Sequence, residues 1–217
     1  LVKNGLIGLA LVLGALALFL DLRLAFWVSA GIAVSFVGAF AVMPWVGLSV
    51  NMMSLFGFIL AIGIVVDDAI VTGENIYAEN ERGTPEVEAA VRGAQRVTLP
   101  VALAVLTTVA AFVPLLFAPG TIGKFLFQIP AVVIIVLVVS VIEAMFILPH
   151  HLAHLHITGF TPRTRIGARL ADLRQATDRA LRRFVEGPLD RALHFVTTHY
   201  IVAMASGVAV LIMTFGI

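Results

Sequence analysis

The sequence has no cysteine and little charge, since Asp, Glu, Lys and Arg make up 12% of its 217 residues. Without cysteine, a disulfide framework and a thiolate metal site are both excluded. The scarcity of charge, beside 60% hydrophobic residues, excludes an ordinary soluble core. The composition therefore predicts a membrane protein.

The sequence also contains no recognisable cleavable secretory signal, because the first apolar run is too long and lacks a basic leader. The chain begins with Leu1 rather than Met and stops at Ile217 inside another apolar run. From these two ends we expect a segment of a longer protein.

Long apolar runs are abundant instead. A helix that crosses a bilayer needs about 20 mostly apolar residues, and a barrel would need short alternating strands that this sequence lacks. The predicted fold is an all-α membrane protein with a bundle of six transmembrane helices. The six predicted spans are, approximately, residues 3–20, 24–46, 51–76, 95–117, 124–148 and 194–217.

Basic residues orient the bundle. Of the 14 lysines and arginines, only Lys3 and Lys124 fall on one side of the predicted spans. The other side is therefore cytoplasmic by the positive-inside rule. On that side, Thr84 and Pro85 are expected to begin a short helix ahead of the fourth span.

A basic segment separates the fifth and sixth spans. Between Thr164 and Val185, apolar and arginine side chains alternate with the period of an amphipathic helix,. We expect it to lie flat on the cytoplasmic leaflet, or to be a solvated helix under the bundle. The predicted organisation is a five-span bundle over 1–155, a cytoplasmic interfacial segment over 156–192 and a further span over 193–217.

Two adjacent acids interrupt the third span, in the stretch GIVVDDAIVTGEN. A charged side chain at the bilayer centre costs about 2.5–3.5 kcal/mol on insertion scales, so Asp67 and Asp68 are predicted to serve a function. Neighbouring helical positions differ by about 100°, so the two acids face different seams. We hypothesise a proton relay coupled to helix arrangement. Two alternatives stay open: protonated acids that bond neighbouring helices, and a sodium site.

Four further polar residues are secondary candidates for this relay. Glu74 shares a face with Asp67 and would extend a proton path or lie at the interface. Glu143 is deep in the fifth span and needs a partner or a proton. Thr107 and Thr108 would relay a proton or bond the preceding turn.

The run HHLAHLH, from His150 to His156, places two imidazoles one turn apart. Because sequence supplies no third ligand, an interfacial position is favoured over a metal site. No metal and no cofactor are predicted.

Three stretches together resemble the resistance-nodulation-division (RND) inner-membrane efflux transporters. They are GIVVDDAIVTGENI, LTTVAAFVPLLFAPGTIGKFLFQIP and SVIEAMFILP, and the resemblance covers about residues 1–155 well. It implies that the spans are the family's second to seventh, that Asp67 and Asp68 are its proton-relay pair, and that the protein is a proton antiporter rather than an enzyme.

The resemblance also implies partners and a subtype. It implies a trimer in the bacterial inner membrane, with a periplasmic adaptor, an outer-membrane channel, a small-molecule substrate and no nucleic acid. The paired acids resemble the exporters of hydrophobic and amphiphilic compounds; a heavy-metal exporter, a sterol-sensing-like bundle and a protein-export accessory bundle are the alternatives. The family's lysine partner of the aspartates is not in this sequence.

Overall fold

The computed structural model describes residues 2–154 and 165–215. Every regular element in those two ranges is a helix, which confirms the all-α prediction. The chain divides into two compact units, Leu1–Thr161 and Pro162–Ile217.

The first unit is built from seven α-helices within residues 2–154. A 3-10 turn, Met43–Val46, follows α2, and a π-helical segment, Glu143–Ile147, lies between α6 and α7. The helices are α1 Val2–Phe19, α2 Leu22–Val42, α3 Met52–Glu81, α4 Glu86–Leu116, α5 Gly120–Leu126, α6 Gln128–Ile142 and α7 Leu148–Leu152.

A capping box sets the start of α3. The Asn51 side chain accepts hydrogen bonds from the backbone N–H groups of Met53 (2.9 Å) and Ser54 (3.1 Å). The Ser54 hydroxyl in turn accepts from the Asn51 N–H at 2.7 Å. These bonds satisfy backbone donors that a helix start otherwise leaves free, so the helix that carries the two aspartates begins at a defined residue.

The prediction for the start of α4 was wrong in detail. Pro85, not Thr84, occupies the position before the first helical residue, and no side chain caps the helix. The expected short cytoplasmic helix and the fourth span form one helix of 31 residues with Pro100 inside it. Neighbouring helices and local adjustments allow a proline inside a membrane helix.

The helix α3 is the centre of the first unit, because it packs against α1, α2, α4 and α6. Glycines allow two of these contacts to be close. A Cβ added at Gly57 would lie 3.0 Å from the Ile129 carbonyl oxygen, and one at Gly73 would lie 2.7 Å from Leu24 Cδ1. Small residues of this kind let membrane helices approach closely.

Four helical stretches in the described residues are long and apolar enough to cross a membrane. They are Arg23–Val46, Met52–Glu81, Glu86–Leu116 and Gly120–Leu152. The first predicted span is present as an apolar helix, Lys3–Phe19, which is shorter than the roughly 20 residues that a span needs. Length and composition therefore support four of the six predicted spans, or five if the bent pair Gln175–Thr198 and Tyr200–Thr214 is one span.

The second unit contains α8 Arg165–Phe184, a π-helical segment Val185–Leu189, α9 Asp190–Thr198 and α10 Tyr200–Phe215. The helix α8 coincides with the predicted amphipathic helix. The last predicted span is not one straight helix, because the stretches Gln175–Thr198 and Tyr200–Thr214 are bent by 97°. At the break, the Thr197 hydroxyl bonds the Leu193 carbonyl, a local bond that competes with the helix ladder.

Candidate functional site

The two predicted relay acids lie in the middle of α3, which packs against α1, α2, α4 and α6. Their surroundings differ. Asp68 is buried, with 7% of its surface exposed, whereas Asp67 is exposed. The sequence predicted that the adjacent acids would face different directions. In the first unit, Asp68 faces the core of the helix bundle and Asp67 faces outward.

The Asp68 carboxyl has an unusual environment for a buried acid. Its Oδ2 atom is enclosed and has no hydrogen-bond partner. The ion pairs of Glu79 and Glu88 lie elsewhere in the first unit. Burying an unpaired polar group is unfavourable, so the described helices alone do not stabilise an Asp68 carboxylate.

Thr72 adds a second enclosed oxygen one turn after Asp68 on α3. Only 1% of its surface is exposed, and its hydroxyl has no hydrogen-bond partner. Residues four apart lie on the same helix face, so Asp68 and Thr72 form one polar strip on the buried side of α3. Sequence analysis missed Thr72, although the spacing from Asp68 was a usable signal.

Glu74 is not part of this buried strip. It is exposed and lies at a groove of about 230 Å³ between α1 and α3. The remaining lining is apolar: Val12, Ala15, Leu16, Phe19, Leu20, Val66 and Ile70. Glu74 therefore faces the α1 side of α3, away from the enclosed Asp68 carboxyl.

Thr107 and Thr108 both bond their own helix. The Thr107 hydroxyl donates to the Leu103 carbonyl at 2.8 Å, and the Thr108 hydroxyl donates to the Ala104 carbonyl at 3.0 Å. Such bonds to the preceding turn are common for threonine inside a helix. A relay through either residue would require it to give up this bond.

Glu143 begins the π-helical segment of the fifth predicted span. It is 2% exposed, and its carboxyl lies over Gly31 of α2: a Cβ added at Gly31 would be 2.6 Å from Glu143 Cδ. Sequence analysis singled out the acid but not the glycine that makes room for it. The two residues are far apart in sequence, so only the fold brings them together.

The histidine run splits between described and undescribed residues, since His156 lies outside the residues that the structure describes. The His151 ring stacks on Trp27 of α2, with ring centroids 4.0 Å apart. Nδ1 of His154 lies 2.9 Å from the His150 carbonyl oxygen. Among the described residues, no group of three potential ligands is placed to hold a metal ion.

Glu79 is a buried acid that sequence analysis missed. It lies near the C-terminal end of α3, accepts a hydrogen bond from Arg82 Nη1 at 2.8 Å and forms an ion pair with Arg96 Nη1 at 2.6 Å. Arg96 belongs to α4, so Glu79 connects the two helices. The signal available in the sequence was the acid between Tyr77 and Arg82, opposite a basic residue on the next helix.

The model of the AcrB/AcrD/AcrF family matches residues 1–216. Among curated proteins, the chain is 36% identical to the "Multidrug resistance protein MdtC" of Pantoea ananatis over 124 residues, which is 57% of this chain and 12% of that protein.

Two further relatives have the same name. The protein from Escherichia coli O139:H28 is 36% identical over 145 residues, covering 66% of this chain and 14% of the relative. The protein from Yersinia enterocolitica is 34% identical over 154 residues, covering 70% of this chain and 15% of the relative. The matched stretches thus span between 12% and 15% of the length of these curated relatives.

Proposed function

This chain belongs to the AcrB/AcrD/AcrF family, and from that premise we propose that it forms the proton-coupling part of a proton-driven efflux pump. Membership confirms the resemblance to RND multidrug efflux transporters. Such transporters are inner-membrane proteins, and the four candidate spans agree with that location. The family is one of transporters rather than enzymes.

One observation carries the proposal of proton coupling: the adjacent acids at the middle of the central helix have unlike surroundings. Asp68 is enclosed with an unpartnered oxygen, and Asp67 is exposed on the outward side of α3. A carboxyl in a membrane interior is stable when protonated or paired with a cation. The site therefore suits a group that alternates between a proton and a cationic partner.

Alternation would couple protons to helix movement. When a cation approaches from the exposed side of Asp67, both acids are stabilised as carboxylates. When the cation withdraws, uptake of a proton stabilises the pair. Proton load then depends on which helix arrangement is populated. The family resemblance implies that a lysine outside this sequence supplies the cation, and the exposed side of Asp67 provides the approach.

We propose the wider features of the pump from the family and its relatives. The relatives are named multidrug resistance proteins, so we infer that the exported compounds are hydrophobic or amphiphilic. We further propose a homotrimer that works with a periplasmic adaptor and an outer-membrane channel. Glu74, exposed on α3 toward the cytoplasmic end, is our proposed exit point for protons.

The six-span topology is also part of this proposal. Lys3–Phe19 would cross the membrane with a tilt or with local thinning of the bilayer, and α10 would supply the last span. The helix α8 would lie on the cytoplasmic leaflet, because the described apolar side chains Leu173, Leu181 and Phe184 are exposed within its unit and its sequence is rich in arginine,.

The test uses the full-length protein that carries this chain, reconstituted in lipid vesicles with a pH-sensitive dye inside. A proton gradient should drive substrate-dependent proton flux in the unmodified protein. Asp67→Asn and Asp68→Asn should each abolish this flux, because an amide cannot bind and release a proton. Glu81→Gln is the matched control, since Glu81 is an exposed acid at the end of the same helix.

Proton flux at the unmodified rate in both asparagine variants would overturn the proposal. That result would favour a bundle that senses or supports rather than transports. Loss of flux in the Glu81→Gln control as well would also count against it, because the effect would then not be specific to the mid-membrane acids. Elution as an intact oligomer on size exclusion shows that each variant is folded.

A further inference from the structure

Glu143 is another buried acid of the first unit, and it lies on a different helix from Asp67 and Asp68. The Glu143 carboxyl is enclosed between α2 and the π-helical segment, over Gly31. Within residues 2–154, no hydrogen bond or ion pair reaches it. The charge is therefore not neutralised by the helices that bury it.

Two serine hydroxyls lie on the helix faces that meet at this carboxyl. Ser140 precedes Glu143 by three residues on α6, and Ser35 follows Gly31 by four residues on α2, so each shares a face with its neighbour. Both serines are at most 1% exposed, and neither hydroxyl has a hydrogen-bond partner. A further contact fixes how these faces meet: a Cβ added at Gly38 would lie 2.8 Å from Val139 Cγ1.

The contacts of α2 also fix the depth of Glu143 relative to the aspartates. Gly73 of α3 faces Leu24 and Val28 of α2, and Gly31 faces Glu143. Because α2 and α3 run in opposite directions, the level of Gly31 corresponds to residues 66–70 on α3, at about 1.5 Å per residue. Glu143 therefore lies within about one helical turn of the depth of Asp68, but against a different helix.

Titratable groups on the surrounding helices are few. Asp68 on α3 is the buried acid at the same level. On α7, His151 stacks on Trp27 of α2, one turn from Gly31. Asp21 and Arg23 lie at the start of α2, about two turns before Gly31,. The helix α6 carries no titratable residue. No described cation is paired with Glu143.

We propose that Glu143 is the centre of a second proton-binding site, enclosed between α2 and α6, and that the Ser35 and Ser140 hydroxyls form hydrogen bonds with its carboxyl when a proton binds. A buried carboxylate without donors is strongly disfavoured, whereas a carboxylic acid can donate to one hydroxyl and accept from another. The site goes beyond the proposed relay, because it needs neither Asp67 nor the cation that approaches Asp67. The pump would then hold protons at two places at one depth.

The test is infrared difference spectroscopy of the full-length protein in lipid, recorded between acidic and alkaline buffer. Each carboxyl that loses its proton loses a C=O stretching band. Glu143→Gln should remove one such band, and Asp68→Asn should leave that band in place. Glu143→Asp should restore a band at a shifted frequency, which shows that the loss in Glu143→Gln is not caused by misfolding.

A pair of glycine variants tests the position of the site. Gly31→Ala places a methyl group against the Glu143 carboxyl, so we expect the frequency of the Glu143 band to shift. Gly38→Ala crowds Val139 on the same pair of helices to a similar degree, and we expect the band to stay where it is. An equal shift in both variants would contradict the assignment to Gly31 and Glu143.

Two further results would overturn the proposal. Unchanged protonated-carboxyl bands in Glu143→Gln would mean that Glu143 never binds a proton. Loss of the Glu143 band when sodium replaces potassium at constant pH would mean that the site holds a metal cation instead. If Asp68→Asn transports normally while Glu143→Gln still loses its band, the proposed relay fails and this second site stands.

Discussion

Asp68 and Glu79 are buried acids about three turns apart on the same helix, and their surroundings differ in charge. Glu79 forms ion pairs with Arg82 of its own helix and with Arg96 of α4. Asp68 retains an enclosed oxygen without a partner. Burial alone therefore does not mark a functional acid. What separates the two is whether the surrounding helices supply the opposite charge.

The difference between the two acids has a physical basis in the free energy of burying a carboxylate. A buried carboxylate is stable when a cation and hydrogen bonds compensate for lost water, and Glu79 has both. Asp68 has neither within the described helices, and its compensation must come from a proton or from another part of the protein. Four predictions test this contrast.

The largest effect is expected on transport in cells. In a strain without its own pumps, the full-length protein with Asp68→Asn should give no more drug resistance than cells without the pump. Glu79→Gln should keep at least half of the resistance, because it changes a structural pair rather than a proton carrier. The measurement is the minimal inhibitory drug concentration at matched protein levels. Equal loss in the two variants would remove the distinction.

A smaller but substantial effect is expected from crowding the contact between α3 and α4. A Cβ added at Gly93 would lie 2.6 Å from the Ile76 Cα and backbone N, so Gly93→Ala should push the two helices apart. Overpacking of this kind costs about 1–3 kcal/mol, and we expect about 2 kcal/mol, read as a lower midpoint of thermal unfolding in detergent.

Gly63→Ala is the control for Gly93→Ala. Gly63 lies on α3, and a Cβ added there meets nothing within 4 Å. The midpoint should stay unchanged or rise, because alanine favours a helix more than glycine does. A midpoint that falls equally in both variants would mean that the close contact at Ile76 does not matter.

The pair between α3 and α4 should contribute less. Arg82 and Arg96 are more than half exposed, so water screens their attraction to Glu79. We expect Glu79→Gln to lower the free energy of unfolding by about 1 kcal/mol, since a hydrogen bond to a charged group contributes about 1.5–3 kcal/mol before screening. Glu81→Gln on the same helix is the control. If the midpoint of thermal unfolding falls as far in Glu81→Gln as in Glu79→Gln, the pair does not stabilise the protein.

The smallest effect is expected at the exposed pair of Glu88 and Arg92 on α4. The two side chains are 2.6 Å apart, but both are at least half exposed. Pairs four residues apart on an exposed helix contribute about 0.3–0.5 kcal/mol. Arg92→Ala should therefore change the unfolding midpoint less than Glu79→Gln does, and a larger change would contradict the ranking by burial.

Sequence patterns could predict the helices and the position of the aspartate pair inside one of them, for simple reasons. A long apolar run leaves few choices in a membrane, and an acid inside such a run is conspicuous. The sequence could not show which aspartate is buried, because that depends on the rotation of α3 against its neighbours. It also could not pair Glu143 with Gly31 or Glu79 with Arg96, since these contacts depend on how distant helices pack.

Two predictions about boundaries failed for local reasons. Thr84 has a side chain that can cap a helix, but Pro85 occupies the cap position. The residue type alone therefore did not determine where α4 begins. The final apolar run is shared between α9 and α10, because hydropathy measures how apolar a segment is and not whether its helix is continuous.

The π-helical segment at Glu143–Ile147 sets the direction of two side chains in the C-terminal part of its span, Gly120–Leu152. A π turn takes in one residue more than an α turn, and each residue of an α-helix advances the side chains by about 100°. The extra residue allows Glu143 to point at Gly31 while, about two turns later, His151 stacks on Trp27,. Removing one residue between them would straighten the ladder and swing one of these two groups off α2.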